Sequence, residues 1–138
     1  MNEKINTEKA PEPVGPYPHA RRVGNLLFLS GVGPRKPGTK VIPGVMVDGQ
    51  GNAVGHDIET QCYSVFENVK IILEASGSRW ENLVDVTVFL TNMQRDFDTY
   101  NRIYAEYFKD NQPCRTTVEI SALPTPIAIE LKCIATIE

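Results

Sequence analysis

The chain has 138 residues, enough for one domain with a substantial core and too few for two. Hydrophobic residues at 41% and charged ones at 22% are ordinary for a globular domain, and a net charge of −3 with no basic stripe gives nucleic acid no footing. The longest apolar run, Leu26 to Leu29, is far too short to cross a bilayer.

The N-terminus, Met1-Asn2-Glu3-Lys4-Ile5-Asn6, lacks a basic segment followed by an apolar one, so no secretion signal is expected. Residues 1–18 are rich in proline and polar groups and read as an extended arm, flexible over 1–13, ending in Val14-Gly15-Pro16-Tyr17-Pro18. The prolines hold the residues before them out of the helical region, so Tyr17 is presented on a stiff segment. Taken by itself, such a tyrosine is more simply an ordinary surface or core residue than part of a site. Ala20–Val23 and Asn25–Ser30 are predicted strands joined by a tight turn at Gly24-Asn25. Leu26-Leu27-Phe28-Leu29 is apolar on both faces and should be buried. At its end, Ser30-Gly31-Val32-Gly33-Pro34 is either an ordinary turn or a place where glycine leaves a strand-end N–H free for a ligand oxygen.

Residues 34–56 form a long segment rich in proline and glycine. It carries Arg35, Lys36 and Lys40, and a short hairpin is expected at Val45–Asp48 and Ala53-Val54. A loop of this length within a compact domain is usually functional or disordered. Asp57 can cap a helix running to about Ser76, with Ile58, Cys62, Val65, Val69 and Ile72 on one stripe and Gly77 as terminator. A strand from Leu83 to Thr91 follows. A second helix spans about Gln94 to Lys109, and its aromatic stripe of Phe97, Tyr100, Tyr104 and Phe108 reads as core packing. Asn101 lies on its polar face.

Two strand-like runs end the chain. Alternate residues of a strand share a face, so Arg115, Thr117 and Glu119 point one way and Thr116, Val118 and Ile120 the other. In the last run Ile127, Ile129, Leu131, Cys133, Ala135 and Ile137 form an apolar face, with Glu130 and Lys132 opposite. Arg115, Glu119 and Glu130 fit a solvated outer face. They also fit a small-molecule site, because a guanidinium grips a carboxylate with two parallel hydrogen bonds and a nearby glutamate orients water or moves a proton. Local order favours a hairpin between the last two strands, although the connection through Pro124 and Pro126 also permits a crossover. The pattern as a whole is α+β: a single mixed β-sheet with two helices on one face. Its other face would be bare, and a second copy of the chain is the simplest cover.

Three cysteines (Cys62, Cys114, Cys133) are odd in number and far apart, which with no secretion signal fits reduced thiols in cytoplasm. Only two histidines, His19 and His56, occur; there is no metal-ligand spacing and no glycine-rich phosphate loop, so neither metal nor cofactor is expected.

Gly15-Pro16-Tyr17, Leu29-Ser30-Gly31, Val86-Thr87-Val88-Phe89-Leu90-Thr91, the block from Pro113 to Ile120, Leu123-Pro124 and Ile129-Glu130 resemble the RidA (YjgF/UK114) family. The likeness runs from about residue 10 to the end. It implies a fold like Bacillus chorismate mutase and a homotrimer with a central barrel, or a dimer of such trimers, with sites in clefts between subunits. It also implies cofactor-free hydrolysis of 2-enamines or 2-imines to ammonia and a 2-oxo acid. Carried over, Arg115 grips the substrate carboxylate, Glu130 positions the attacking water, and Tyr17, Ser30, Gly31 and Asn101 line the pocket. Thr117 stands where the family usually has cysteine. The enlarged segment between Gly33 and Asp57, together with Pro113-Cys114-Arg115-Thr116-Thr117 and Leu123-Pro124-Thr125-Pro126, most resembles the 2-aminomuconate deaminase branch, whose members convert 2-aminomuconate to 4-oxalocrotonate in aromatic-compound breakdown. A general imine deaminase and a non-catalytic metabolite-binding trimer are the alternatives.

Overall fold

The structure is a computed structural model and describes residues 2–137; Met1, the first residue of the expected arm, and Glu138 lie outside the described residues. Its centre is a six-stranded mixed sheet in the order β1-β2-β3-β8-β6-β7. The strands are β1 (Asn2–Ile5), β2 (Ala20–Val23), β3 (Leu26–Leu29), β6 (Leu83–Leu90), β7 (Cys114–Glu119) and β8 (Ile129–Thr136). Two further short strands, β4 (Val45–Val47) and β5 (Ala53–His56), make a separate hairpin where one was expected. Helices α1 (Ile58–Ala75) and α2 (Met93–Tyr107) pack in one core cluster with the apolar face of the sheet.

β8 shows most plainly why the sheet forms. Ile129, Leu131, Cys133 and Ala135 are fully buried, while Glu130, Lys132, Ile134 and Thr136 alternate on the opposite face. Each fully buried Ile or Leu contributes about 1.5–3 kcal/mol, and a register slip of one residue would expose them all. β6 buries Val86, Val88 and Leu90 in the same core. A bulge between Leu83 and Asp85 interrupts its alternation, so Val84 is left exposed instead of joining the apolar face. The turn between β2 and β3 has Gly24 at φ +62° and pairs Val23 with Leu26, a two-residue loop with positive φ at its first central position.

Two expectations are corrected here. The last two strands are not a hairpin: β6 lies between them, antiparallel to β8 and parallel to β7, so the chain crosses over after Glu119. Period-2 patterning fixes which face a residue takes but not which strand is its neighbour. The arm, expected to be flexible over 1–13, contributes β1 as an edge strand paired with β2. Its next turn is strapped down by the buried His19, whose Nδ1 accepts from Thr7 N–H (3.2 Å) while Nε2 lies 2.7 Å from the carbonyl of Pro11. A bond at both nitrogens, one accepting and one donating, selects the Nε2–H tautomer of a neutral ring.

The 34–56 segment is held by two amides on the buried stripe of α1. Asn68 donates to the carbonyls of Gly33 (3.0 Å) and Arg35 (2.8 Å). Gln61 donates to Pro43 O (3.1 Å) and accepts from Ala128 N–H (2.8 Å). Both residues are almost wholly inaccessible to water.

Candidate active site

Cross-strand register divides the expected site residues between the two faces of the sheet. Val86 pairs with both Arg115 and Cys133, so Arg115 lies on the helix-covered face. Phe89 pairs with both Val118 and Glu130, so Glu130 lies on the open face, two strands away. Within one copy of the chain the guanidinium and the carboxylate therefore belong to two separate clusters.

The first cluster sits at the edge strand β7. The Arg115 guanidinium lies over the rings of Tyr104 and Tyr100, 4.7 and 5.5 Å from their centroids, and Nη1 donates to Asn101 Oδ1 (2.8 Å). Stacking on two rings and one hydrogen bond hold the fork in place while its remaining N–H groups face outward on an exposed residue. The hydroxyls of Tyr100 and Thr117 share a hydrogen bond of 2.8 Å. Burial raises the pKa of both tyrosines, so they remain neutral beneath the cation. The aromatic stripe on α2 therefore serves packing, as expected, and in addition forms the platform for Arg115. Glu119, which shares that face, is not part of the cluster: its Oε1 accepts from Met93 N–H (2.8 Å) at the start of α2, where a carboxylate complements the helix dipole.

The second cluster surrounds a cavity of about 180 Å³ between the end of β3, the 11–17 arm and the 124–127 turn. Tyr17, Ser30, Gly31 and Glu130 line it together, and so does Arg35. Ser30 Oγ donates to Pro18 O (2.7 Å), and Tyr17 Oη accepts from Val14 N–H (3.3 Å), so both hydroxyls are already oriented. A Cβ on residue 31 would come within 2.7 Å of Glu130 Oε2, so only glycine lets the carboxyl lie this close to the backbone. Glu130 makes no ion pair among the described residues, and burial pushes its pKa above the ordinary carboxylate range. A partly desolvated carboxyl at a cavity wall is suited to holding water or exchanging a proton with a ligand. Burial also pushes the thiols of Cys62 and Cys133 up to about 12, which leaves them inert.

Sequence reading did not identify the tyrosine platform as part of the site, nor the amides that fasten the 34–56 segment, of which Asn68 holds Arg35. The second had a visible signal: Gln61 and Asn68 fall seven residues apart on an otherwise apolar helical stripe, where polar side chains need buried partners.

Residues 7–137 match the family model described as endoribonuclease L-PSP. A RutC family protein of Pyrococcus horikoshii is 43% identical over 135 residues, covering 98% of each chain. Reactive Intermediate Deaminase A of Arabidopsis thaliana is 40% identical over 135 residues, covering 98% of this chain and 66% of its own. The crystal structure of RidA from an Antarctic Psychrobacter superposes with a TM-score of 0.84 at 31% identity, covering 98% of this chain and 99% of that one. On the sheet, the two helices and these likenesses together, the chain belongs to the RidA family and has its chorismate mutase-like fold.

Proposed function

We propose that this protein is a cofactor-independent deaminase that hydrolyses 2-imino acids, and the 2-enamino acids that tautomerise to them, to a 2-oxo acid and ammonia. The observation that carries the reading is Glu130: a half-buried carboxyl with a raised pKa, set against Gly31 in a cavity large enough for a small acid. The name of the Arabidopsis relative supports the same chemistry.

The steps need no metal and no covalent adduct with the protein. Protonation of the enamine carbon gives the 2-iminium, whose C2 is electrophilic. Glu130 orients a water toward C2; the C–O bond forms as the C=N π pair moves to nitrogen. A proton passes from oxygen to nitrogen, the carbinolamine collapses to the ketone, and ammonia leaves. Arg115 holds the carboxylate next to C2, so the binding contact also sets the angle of attack.

Because one copy separates Arg115 from Glu130, the reading requires a neighbouring copy to supply the arginine. The open sheet face supports this: it carries Phe28, Phe89, Val118 and Ile134 with no helix over them, and Val23 and Leu26 are more than 40% exposed. We propose a ring of three such chains, each presenting its β7 edge to the next one's cavity.

A general imine deaminase is favoured by the relative's name and would turn over 2-iminopropionate and 2-iminobutyrate. The narrower reading, 2-aminomuconate to 4-oxalocrotonate in aromatic-compound breakdown, draws on the cations of the 34–56 segment, which Asn68 fastens against the cavity. An ammonia-release panel over these three substrates tests both. Arg115→Ala and Glu130→Gln are each expected to lower kcat/KM at least a hundredfold with the fold intact. Normal turnover by either variant refutes its assigned role, and tight binding without ammonia release by the wild type would make the protein a metabolite binder.

A further inference from the structure

Of the three cations in the 34–56 segment, only Arg35 reaches the cavity that holds Glu130; Lys40 borders a separate hollow beside the N-terminal arm. Its backbone is fixed twice over, by Pro34 before it, which is buried, and by the bond from Asn68 to its carbonyl. Its side chain is the reverse. Arg35 forms no ion pair among the described residues, and its Nε is buried without a hydrogen-bond partner. An unpaired guanidinium nitrogen withdrawn from water is costly, and no protein group competes with a ligand for the Arg35 side chain where it lines the cavity.

Glu130 is not that partner. Burial alone accounts for the upward shift of its carboxyl; a guanidinium paired with it would pull the other way. The other carboxylate on the cavity wall, Glu12, is solvent-exposed and makes no ion pair either. The cavity wall thus carries one cation with no protein partner and two carboxyls, neither of them paired with it. At about 180 Å³ the cavity exceeds the roughly 150 Å³ that admits a benzene ring, so a chain of five or six carbons fits.

We propose that Arg35 is a second anion subsite that binds the distal carboxylate of a dicarboxylic 2-imino or 2-enamino acid, making it a specificity-determining residue. The inference rests on the deaminase reading above, in which Arg115 of a neighbouring copy takes the carboxylate next to C2. Arg35 then takes the other end, and the reacting carbon is held between two fixed points beside Glu130. A monocarboxylic imine satisfies only the first and leaves the Arg35 donors unpaired, which is how a buried polar group rejects a ligand lacking its partner.

The test compares 2-iminoglutarate with 2-iminobutyrate, each generated in situ from its amino acid, in the wild type, Arg35→Ala and Arg35→Gln. The readout is the ratio of kcat/KM for the dicarboxylate to that for the monocarboxylate. A charge-assisted hydrogen bond is worth about 1.5–3 kcal/mol, so the ratio is expected to fall roughly ten- to hundredfold in both variants, chiefly through KM. Arg35→Gln keeps most of the stem and carries the test if Arg35→Ala does not fold. A variant ratio within twofold of wild type, or a wild type without preference, overturns the proposal. If the wild type releases ammonia from neither imine, the deaminase reading fails, and calorimetric titration with 2-oxoglutarate and 2-oxobutyrate judges Arg35 independently. Tighter binding of the dicarboxylate that is lost in the variants sustains the subsite; equal affinities throughout reject it.

Discussion

Glu130 makes opposite demands on stability and function. Burial disfavours its charged form, so its pKa in the folded protein lies above the value in the unfolded chain. A carboxyl shifted in this direction favours folding most at pH below its unfolded pKa, and that contribution is lost as pH rises through the folded value. The proposed role of orienting water, however, uses the ionised form, so in that role Glu130 keeps a charge its surroundings resist. Two outcomes follow from one cause. The acid limb of kcat/KM should have its midpoint above the ordinary glutamate range, with activity falling as pH drops. Glu130→Gln, which removes the charge, should melt higher than wild type at about pH 8, the gain shrinking toward about pH 4. A gain in melting temperature that does not change between these pH values would show that the carboxyl is solvated and that its burial has no functional meaning.

At the scale of elements, α1 does more than cover the sheet. Its Asn68 satisfies two carbonyls of the 33–35 segment, and no other described side chain bonds to them. Asn68→Leu keeps the volume but leaves both part-buried carbonyls without a side-chain donor. The expected cost is about 2 kcal/mol, a fall of roughly 5–10 °C in melting temperature at matched protein concentration, with faster amide exchange across 34–56. An unchanged melt would mean that water replaces the amide freely. The same element shows what the sequence made legible. Hydrophobic periodicity located α1 and α2 within a residue or two, because burial imposes the 3.6 period directly on side chains. β8 was equally clear, since its face alternates without a break. β1 was invisible, because Asn2–Ile5 joins the sheet as an exposed edge, through backbone pairing that leaves no apolar alternation behind. The insertion of β6 between β7 and β8 was invisible for a related reason: face is encoded locally, and neighbour order is not. The site inherited that division. Arg115 and Glu130 stood out as charges on strands, and the alternation of β8 put Glu130 opposite its apolar face; only the register through β6 puts Arg115 on the helix-covered face.

Within one copy the Arg115 and Glu130 clusters lie on opposite faces of the sheet, and on the proposed deaminase reading this sets the final prediction. If Arg115 of one chain completes the cavity of the next, the interface is heterologous and closes as a ring, with one composite site at each junction. Arg115→Ala and Glu130→Gln should each be inactive alone. In a mixed ring a junction works whenever a Glu130→Gln chain supplies the arginine and an Arg115→Ala chain supplies the glutamate. Random assembly of equal amounts gives each of those choices a chance of one half, so roughly a quarter of wild-type activity should return on unfolding and refolding the two variants together. The separately refolded variants, mixed without exchange, should remain inactive. Any site built within one chain predicts no recovery under either protocol, since every chain would carry one defect or the other. Recovery also requires an intact edge at β7, where Cys114, Arg115 and Thr116 are all exposed in the single copy. Replacing Thr116, which faces away from α2, with lysine would add a like charge to the row of Thr87 and Lys132 on the open face without touching the Arg115 platform. That variant should lose oligomer and activity together while keeping its far-ultraviolet helix signal, because an arginine held correctly on its own chain has no cavity to enter unless a neighbour provides one.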